Sequence, residues 1–152
     1  FGDWEADTVL GKNGTGAIVS LVERKSKFYL IRKVPAKSAA EVSRAMVGML
    51  WRYRRHVHTI TADNGTEFCA HELVAEKLKT DVYFANPYSS WERGLNENFN
   101  GLLRQFISKG TDLSTVTDEQ IAQAQRALNL RPRKCLGYKQ PEVVFNQLRG
   151  AA

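Results

Sequence analysis

Residues 57–68 read VHTITADNGTEF. An alternating apolar run, VHTITA, climbs into Asp63 and then Asn64-Gly65. The alternation predicts a strand over 57–62. The aspartate after it admits two readings. Asp-Asn-Gly is favoured wherever a turn needs positive φ. An aspartate at a strand tip can also be one member of a carboxylate set completed elsewhere in the chain. The segment before it, SAAEVSRAMVGMLWRYRR (38–55), decides how this strand joins a sheet. Ser38 and Glu41 make a capping box, and Ala39, Val42, Met46, Met49, Leu50 and Tyr53 follow at helical spacing. A strand reached through a helix can lie parallel to its neighbour. Arg52, Arg54 and Arg55 close that helix, where cations suit the dipole; they fit a solvated end or a contact to DNA.

Upstream, WEADTVL (4–10), GAIVSLVE (16–23) and KFYLIRKV (27–34) read as three strands joined by short connections rich in Gly, Asn, Lys and Ser, an antiparallel meander. The second is almost wholly apolar, which predicts burial on both faces and helices on each side of the sheet. Downstream, Asn64 is placed to cap a helix over about 66–79, with Phe68, Val74 and Leu78 inward. DVYFA (81–85) is a short fifth strand. The loop NPYSSWERG leads into a helix from about 94 to 108. KGTDLSTV is a linker, Thr117 and Gln120 form a second capping box for a helix to about 130, RPRKCLGYKQP is a basic turn region, and Pro141 opens a short final helix. The βββαβαβαα order predicts an α/β fold: a mixed five-stranded sheet, three antiparallel strands then parallel additions, with helices on both faces.

The bulk numbers fit one domain. At 152 residues, 43% hydrophobic and 25% charged, the chain can bury a core without staples. Its formal charge of +6 favours a polyanionic partner. There is no long apolar run and no signal-peptide pattern. The opening on Phe1, directly in strand-like sequence, suggests a domain excised from a longer protein. Cys69 and Cys135 have no metal spacing and fit a reducing compartment, and His56, His58 and His71 read as structural or solvent-facing.

Three carboxylates stand out. Asp7 is the odd residue of the first strand, where a charge is costly unless paired or bound to a cation. Asp63 lies past the end of the fourth strand, close to Asp7 if the two strands are neighbours. On the helix after the fifth strand, Leu95, Phe99, Leu102, Leu103 and Phe106 share one side, and Glu97, Arg93, Asn100, Gly101 and Arg104 the other. That second face suits metal with phosphate, or plain solvent. Three carboxylates in a basic chain match two-metal phosphodiester chemistry, in which hard divalent ions clamp the attacking and leaving oxygens.

DWEADTV, TADNGTEF and NPYSSWERGLNENFNGLLRQF together resemble the catalytic core of bacterial transposases of the insertion sequence 30 family, grouped with retroviral integrases in the DDE class with a ribonuclease-H-like fold. The resemblance runs from Trp4 through RPRKCLGYKQPEVVF, with 33 residues between Asp63 and Glu97. It implies residues 1–150 as an integrase-type catalytic core and Asp7, Asp63 and Glu97 as catalytic, metal-holding residues. Two Mg²⁺ or Mn²⁺ ions per site would be held when DNA is bound. Gly94 matches the hinge of a mobile loop that begins near Pro87-Tyr88. Asn100 and Arg104 match positions facing DNA, and Arg93, Arg131, Arg133 and Lys134 are candidates for backbone contacts. Asp3, Glu5, Glu67 and Glu92 read as bystanders, Glu67 at a helix N-terminus. The implied activity is DNA cleavage and 3′-OH strand transfer; a nuclease that only hydrolyses, or a non-catalytic DNA-binding module, are the alternatives. The implied partners are element-end and target DNA and a homodimer or larger assembly, with no membrane or small-molecule substrate, in a bacterial cytoplasm. Full-length members also carry a helix-turn-helix region that reads element ends. These 152 residues hold no such region, so on their own they are expected to bind DNA weakly, through phosphates and in a salt-sensitive way.

Overall fold

The structure is a computed structural model and describes residues 1–86 and 94–151. Five strands, β1 (Asp3–Leu10), β2 (Ala17–Glu23), β3 (Tyr29–Val34), β4 (Thr59–Ala62) and β5 (Asp81–Phe84), form one sheet in the order β3-β2-β1-β4-β5. β1–β2 and β2–β3 pair antiparallel, and β1–β4 and β4–β5 pair parallel. The mixed sheet expected from the sequence is therefore the one observed. All seven residues of β2 are buried, as its apolar run predicts. The centre of the sheet, however, is β1.

Side-chain alternation divides the core into two layers. Trp4 and Ala6 of β1, Ile60 and Ala62 of β4 and Ala17, Val19 and Leu21 of β2 face α1 (Ala39–Leu50), α2 (His71–Leu78) and α5 (Pro141–Ala151). Val9, Ile18, Val22, Tyr29 and Ile31 face α3 (Gly94–Leu103) and α4 (Asp118–Asn129). In the first layer Phe145 of α5 is 1% exposed and sits in an aromatic nest, stacked on Phe28 at 4.3 Å and edge-on to Phe1, Trp4 and Tyr53. No helix among the described residues is long and apolar enough to cross a membrane. Cys69 and Cys135 are free and exposed.

Four local expectations change. Asp3 lies inside β1, with Oδ1 accepting the Thr59 hydroxyl at 2.7 Å. The continuous helix over 66–79 is a 3₁₀ turn (Thr66–Phe68) followed by α2, and the turn's N-cap is Gly65 rather than Asn64. Glu67 and Phe68 are both buried there, Glu67 against Lys37 and the Thr8 hydroxyl and Phe68 in the core layer beneath α1 and α2. The helix expected to reach 108 ends at Leu103. Beyond it, i→i+3 bonds such as Phe106 N–H to the Leu103 carbonyl tighten the chain, so Ile107 enters the core and Phe106 stays 43% exposed. Ser38 caps α1 through the Glu41 N–H, but the Glu41 carboxylate turns to Arg44 instead of completing the box. The Thr117–Gln120 box forms in full.

Candidate active site

The parallel pairing of β1 with β4 sets Glu5 opposite Thr61. Two residues further along each chain stand Asp7 and Asp63. Both follow the parity of the α3-facing side, Asp7 two residues from Glu5 and Val9, Asp63 two from Thr61. The sheet therefore brings the two carboxylates near each other, Asp7 within β1 and Asp63 just past the carboxyl end of the adjacent parallel β4, beside the helix that carries Glu97. A cleft of about 450 Å³ is lined by Asp7, Asp63 and Glu97 together, with Glu67, Asn100 and Gly101. Lys37, Arg104 and Lys109 complete a mixed-charge wall.

The Asp63 turn is not what the Asn-Gly pair predicts. Neither Asn64 nor Gly65 has positive φ; Gly65 sits at φ −64°, ψ 148°. Asp63 Oδ1 accepts the Gly65 N–H at 2.8 Å, which folds the turn back on the carboxylate. Gly65 is needed for room: a Cβ there would meet Glu67 Oε2 at 2.2 Å and Asp63 Oδ1 at 2.7 Å.

Asp7 is held from two sides. Oδ1 accepts the Thr8 N–H at 2.8 Å and Oδ2 accepts the Asn100 side-chain amide at 3.1 Å. Asn100, matched by resemblance to a DNA-facing position, is thus half-buried and engaged with a carboxylate of the site. Its Oδ1 accepts the Tyr29 hydroxyl at 3.0 Å. Burial drives the Tyr29 pKa far above its ordinary value, outweighing the hydrogen bond with Ser20, so the phenol keeps its proton.

Glu97 is exposed in the first turn of α3, a few residues beyond Gly94, whose absent side chain has open space around it. Among the described residues, no three carboxylate, imidazole or thiol groups converge closely enough to form a ready-made metal site. By type the donors fit a hard divalent cation: carboxylate oxygens, lining one cleft, with no thiol or imidazole among them.

Arg104 lines the cleft. Arg131 and Arg133, which follow α4, lie outside the cleft lining, Arg131 donating to Gln105 just beyond α3 and Arg133 set 4.6 Å over the Phe99 ring of α3. Lys134 is exposed in a 3₁₀ turn (Lys134–Leu136) away from the cleft lining. Arg93, Glu92 and Pro87-Tyr88 lie outside the described residues. Glu5 is 3% exposed, paired with Arg24 at 3.4 Å and accepting the Asn96 N–H.

Sequence reasoning misses three cleft residues as members of the site, two of them with no sequence signal for their position. Lys37 precedes a helix cap and reads as a loop charge, yet its Nζ is 3.3 Å from Glu67 Oε1. Glu67, read as a helix-terminus acid, is 3% exposed and also accepts the Thr8 hydroxyl at 3.1 Å. Lys109 sits in the linker. For Glu67 alone the motif TADNGTEF was a hint.

Comparison with known proteins follows this geometry. The integrase core domain profile matches residues 1–90, which include Asp7 and Asp63 and stop short of Glu97. The chain is 50% identical, over 97% of its length, to the transposase for insertion sequence element IS4351 of Bacteroides fragilis, and 35% identical, over its whole length, to transposase InsI for insertion sequence element IS30C of Escherichia coli K12. It spans 45% and 39% of those two relatives, less than half of each. The catalytic core domain of BIV integrase superposes with a TM-score of 0.76 at 20% identity, covering 99% of this chain and 97% of that one, which shows a shared ribonuclease-H-like fold. With one aspartate in β1, another just past the adjacent parallel β4 of that fold, and a profile match over more than half its residues, the chain belongs to the integrase core domain family.

Proposed function

We propose that this chain is the catalytic core, residues 1–150, of a DDE transposase that cleaves DNA at an element's end and joins the freed 3′-OH to target DNA. The observation that carries this reading is the β1–β4 register, which brings Asp7 and Asp63 together under the α3 face bearing Glu97. Water attacks a phosphodiester in the first step, and the resulting 3′-OH attacks a second phosphodiester in the next. The protein forms no covalent bond to DNA.

Asp7, Asp63 and Glu97 would hold two Mg²⁺ or Mn²⁺ ions when DNA is bound, and these would supply charge stabilisation at the attacking and leaving oxygens. The protein's own groups do the rest. Lys37, Arg104 and Lys109 offset the carboxylates and give a phosphate backbone somewhere to dock. Asn100 and the Thr8 N–H fix the Asp7 carboxylate. The Gly65 N–H fixes Asp63. Gly94, which opens the helix carrying Glu97, is proposed as the hinge of the loop before that helix. Arg93, Arg131, Arg133 and Lys134 are proposed as contacts to DNA beyond the cleft. The functional unit on DNA would be a dimer or larger assembly.

The test is a strand-transfer assay with a pre-cleaved 3′-OH duplex in Mg²⁺ or Mn²⁺. Joined product from the wild-type chain, lost in Asp7→Asn, Asp63→Asn and Glu97→Gln without loss of fold, is the expected result. Nicked DNA with no joined product would favour a nuclease that only hydrolyses. Unchanged activity in Asp63→Asn would remove the site assignment.

A further inference from the structure

We propose that Tyr29 is a positioning residue for the Asp7 carboxylate, acting through Asn100. The inference rests on the reading of Asp7 as a metal-holding residue and adds a member to that site from a strand two places away in the sheet.

The logic begins at Asp7. An ionised carboxylate can only accept hydrogen bonds. Asn100 therefore turns its amide nitrogen toward Asp7 Oδ2, at 3.1 Å. That orientation leaves the Asn100 carbonyl oxygen facing the other way, where the Tyr29 hydroxyl donates to it at 3.0 Å. The two bonds are consistent in only one sense: phenol to amide, amide to carboxylate. A donor on the far side thus fixes which end of the amide Asp7 meets.

Tyr29 is well placed to impose that choice. It is fully buried, and its ring lies 5.0 Å from that of Phe99 on α3. Its backbone is clamped at the sheet edge by Asn129 of α4. The Tyr29 N–H donates to Asn129 Oδ1 at 2.8 Å, and the Asn129 amide donates to the Tyr29 carbonyl at 2.7 Å. Asn129 is itself 4% exposed. A continuous run of bonds therefore joins α4, β3, α3 and β1, ending on the carboxylate. Because Asn100 lies one turn beyond Glu97 on α3, the same run pins the turn of helix that carries the third carboxylate.

Partners that orient a metal's ligands matter to the metal nearly as much as the ligands do, with losses of 10–100-fold on their removal. Tyr29→Phe keeps the ring and its packing and deletes only the donor. The experiment is Mn²⁺ binding to the full chain in complex with a pre-cleaved 3′-OH duplex, followed by electron paramagnetic resonance, for the wild type, Tyr29→Phe, Asn100→Leu, the double variant and Asp63→Asn, with thermal unfolding of each. The expected result is Mn²⁺ binding weakened about tenfold in Tyr29→Phe. Asn100→Leu should lose at least as much, and the double variant no more than Asn100→Leu alone. A lower melting temperature with unchanged Mn²⁺ affinity in Tyr29→Phe would make the phenol merely structural and overturn the proposal. So would independent, additive losses in the double variant. Mn²⁺ binding that is absent, or indifferent to Asp63→Asn, would instead refute the metal reading of the site itself and the proposal with it.

Discussion

Gly65→Ala tests the packing of the site most directly. The backbone there is extended and open to any L-residue, so the substitution costs nothing in φ. The cost is in space. The new Cβ would stand 2.2 Å from Glu67 Oε2, which must retreat to the 3.4 Å of ordinary contact, a shift of about 1.2 Å. Asp63 Oδ1, at 2.7 Å, must retreat by about 0.7 Å. Neither carboxylate moves freely. Glu67 is buried between Lys37 and the Thr8 hydroxyl, and Asp63 holds the N–H of residue 65 itself. Disturbing the bonds of a buried carboxylate costs about 1–3 kcal/mol, or roughly 2–12 °C in melting temperature for a chain of this size. A displacement of about 1 Å at a reacting centre costs on the order of 100-fold in rate. The assay is the initial rate of strand transfer at saturating Mg²⁺, alongside calorimetry. Gly150→Ala is the control: that glycine lies in α5 with open space around its missing Cβ, so alanine should stabilise by about 0.5–1 kcal/mol. Activity of Gly65→Ala within threefold of wild type would refute the steric reasoning.

Asn129→Leu should destabilise by about 2–4 kcal/mol in urea titrations, because it leaves the N–H and carbonyl of buried Tyr29 without their partners; a loss under about 0.5 kcal/mol would mean that water replaces the clamp. Phe145→Ala, which empties the aromatic nest, should cost about 3–5 kcal/mol in the same measurement while leaving Mn²⁺ binding unchanged, since that nest lies on the other face of the sheet from Asp7. The buried Tyr29 phenol has its folded-state pKa raised above the unfolded value of 10.0, so its contribution is present below pH 10 and is lost as pH rises beyond it. The stability gap between wild type and Tyr29→Phe should accordingly narrow above pH 10, and a gap that widens there would contradict the sign.

Local chemistry is legible in the sequence wherever the deciding interaction is local. The Thr117–Gln120 box, the alternation of the strands and the 3.6-residue spacing of α1 as far as Leu50 concern residues a few positions apart and appear in the structure, whereas Tyr53 and the arginines expected to close that helix lie in a 3₁₀ segment (Trp51–His56) after it. The βββαβ order allows a fourth strand to lie parallel to a neighbour, but that the neighbour is β1, which places Asp7 near Asp63, comes from the structure. The failures share one cause. The 66–79 segment has a helical pattern, but its start is a 3₁₀ turn in which Glu67 meets Lys37 and Thr8, both distant in sequence. Asn-Gly suggests a positive-φ turn, but the glycine is there to make room for two carboxylates. Phe106 fits the apolar stripe of α3, yet the tightened turn after Leu103 substitutes Ile107.

The sequence by itself determined the sheet, its helices on both faces and three carboxylates, because hydrophobic period and capping are written in neighbouring residues. Only the tertiary structure decided what surrounds those carboxylates. Lys37 meets Glu67, Thr8 meets Glu67, Tyr29 meets Asn100 and Asn129 meets Tyr29 across separations of up to 100 residues. Contacts of that kind depend on which strand lies beside which and on which face each side chain emerges, and folding fixes both only when the two core layers close on the sheet.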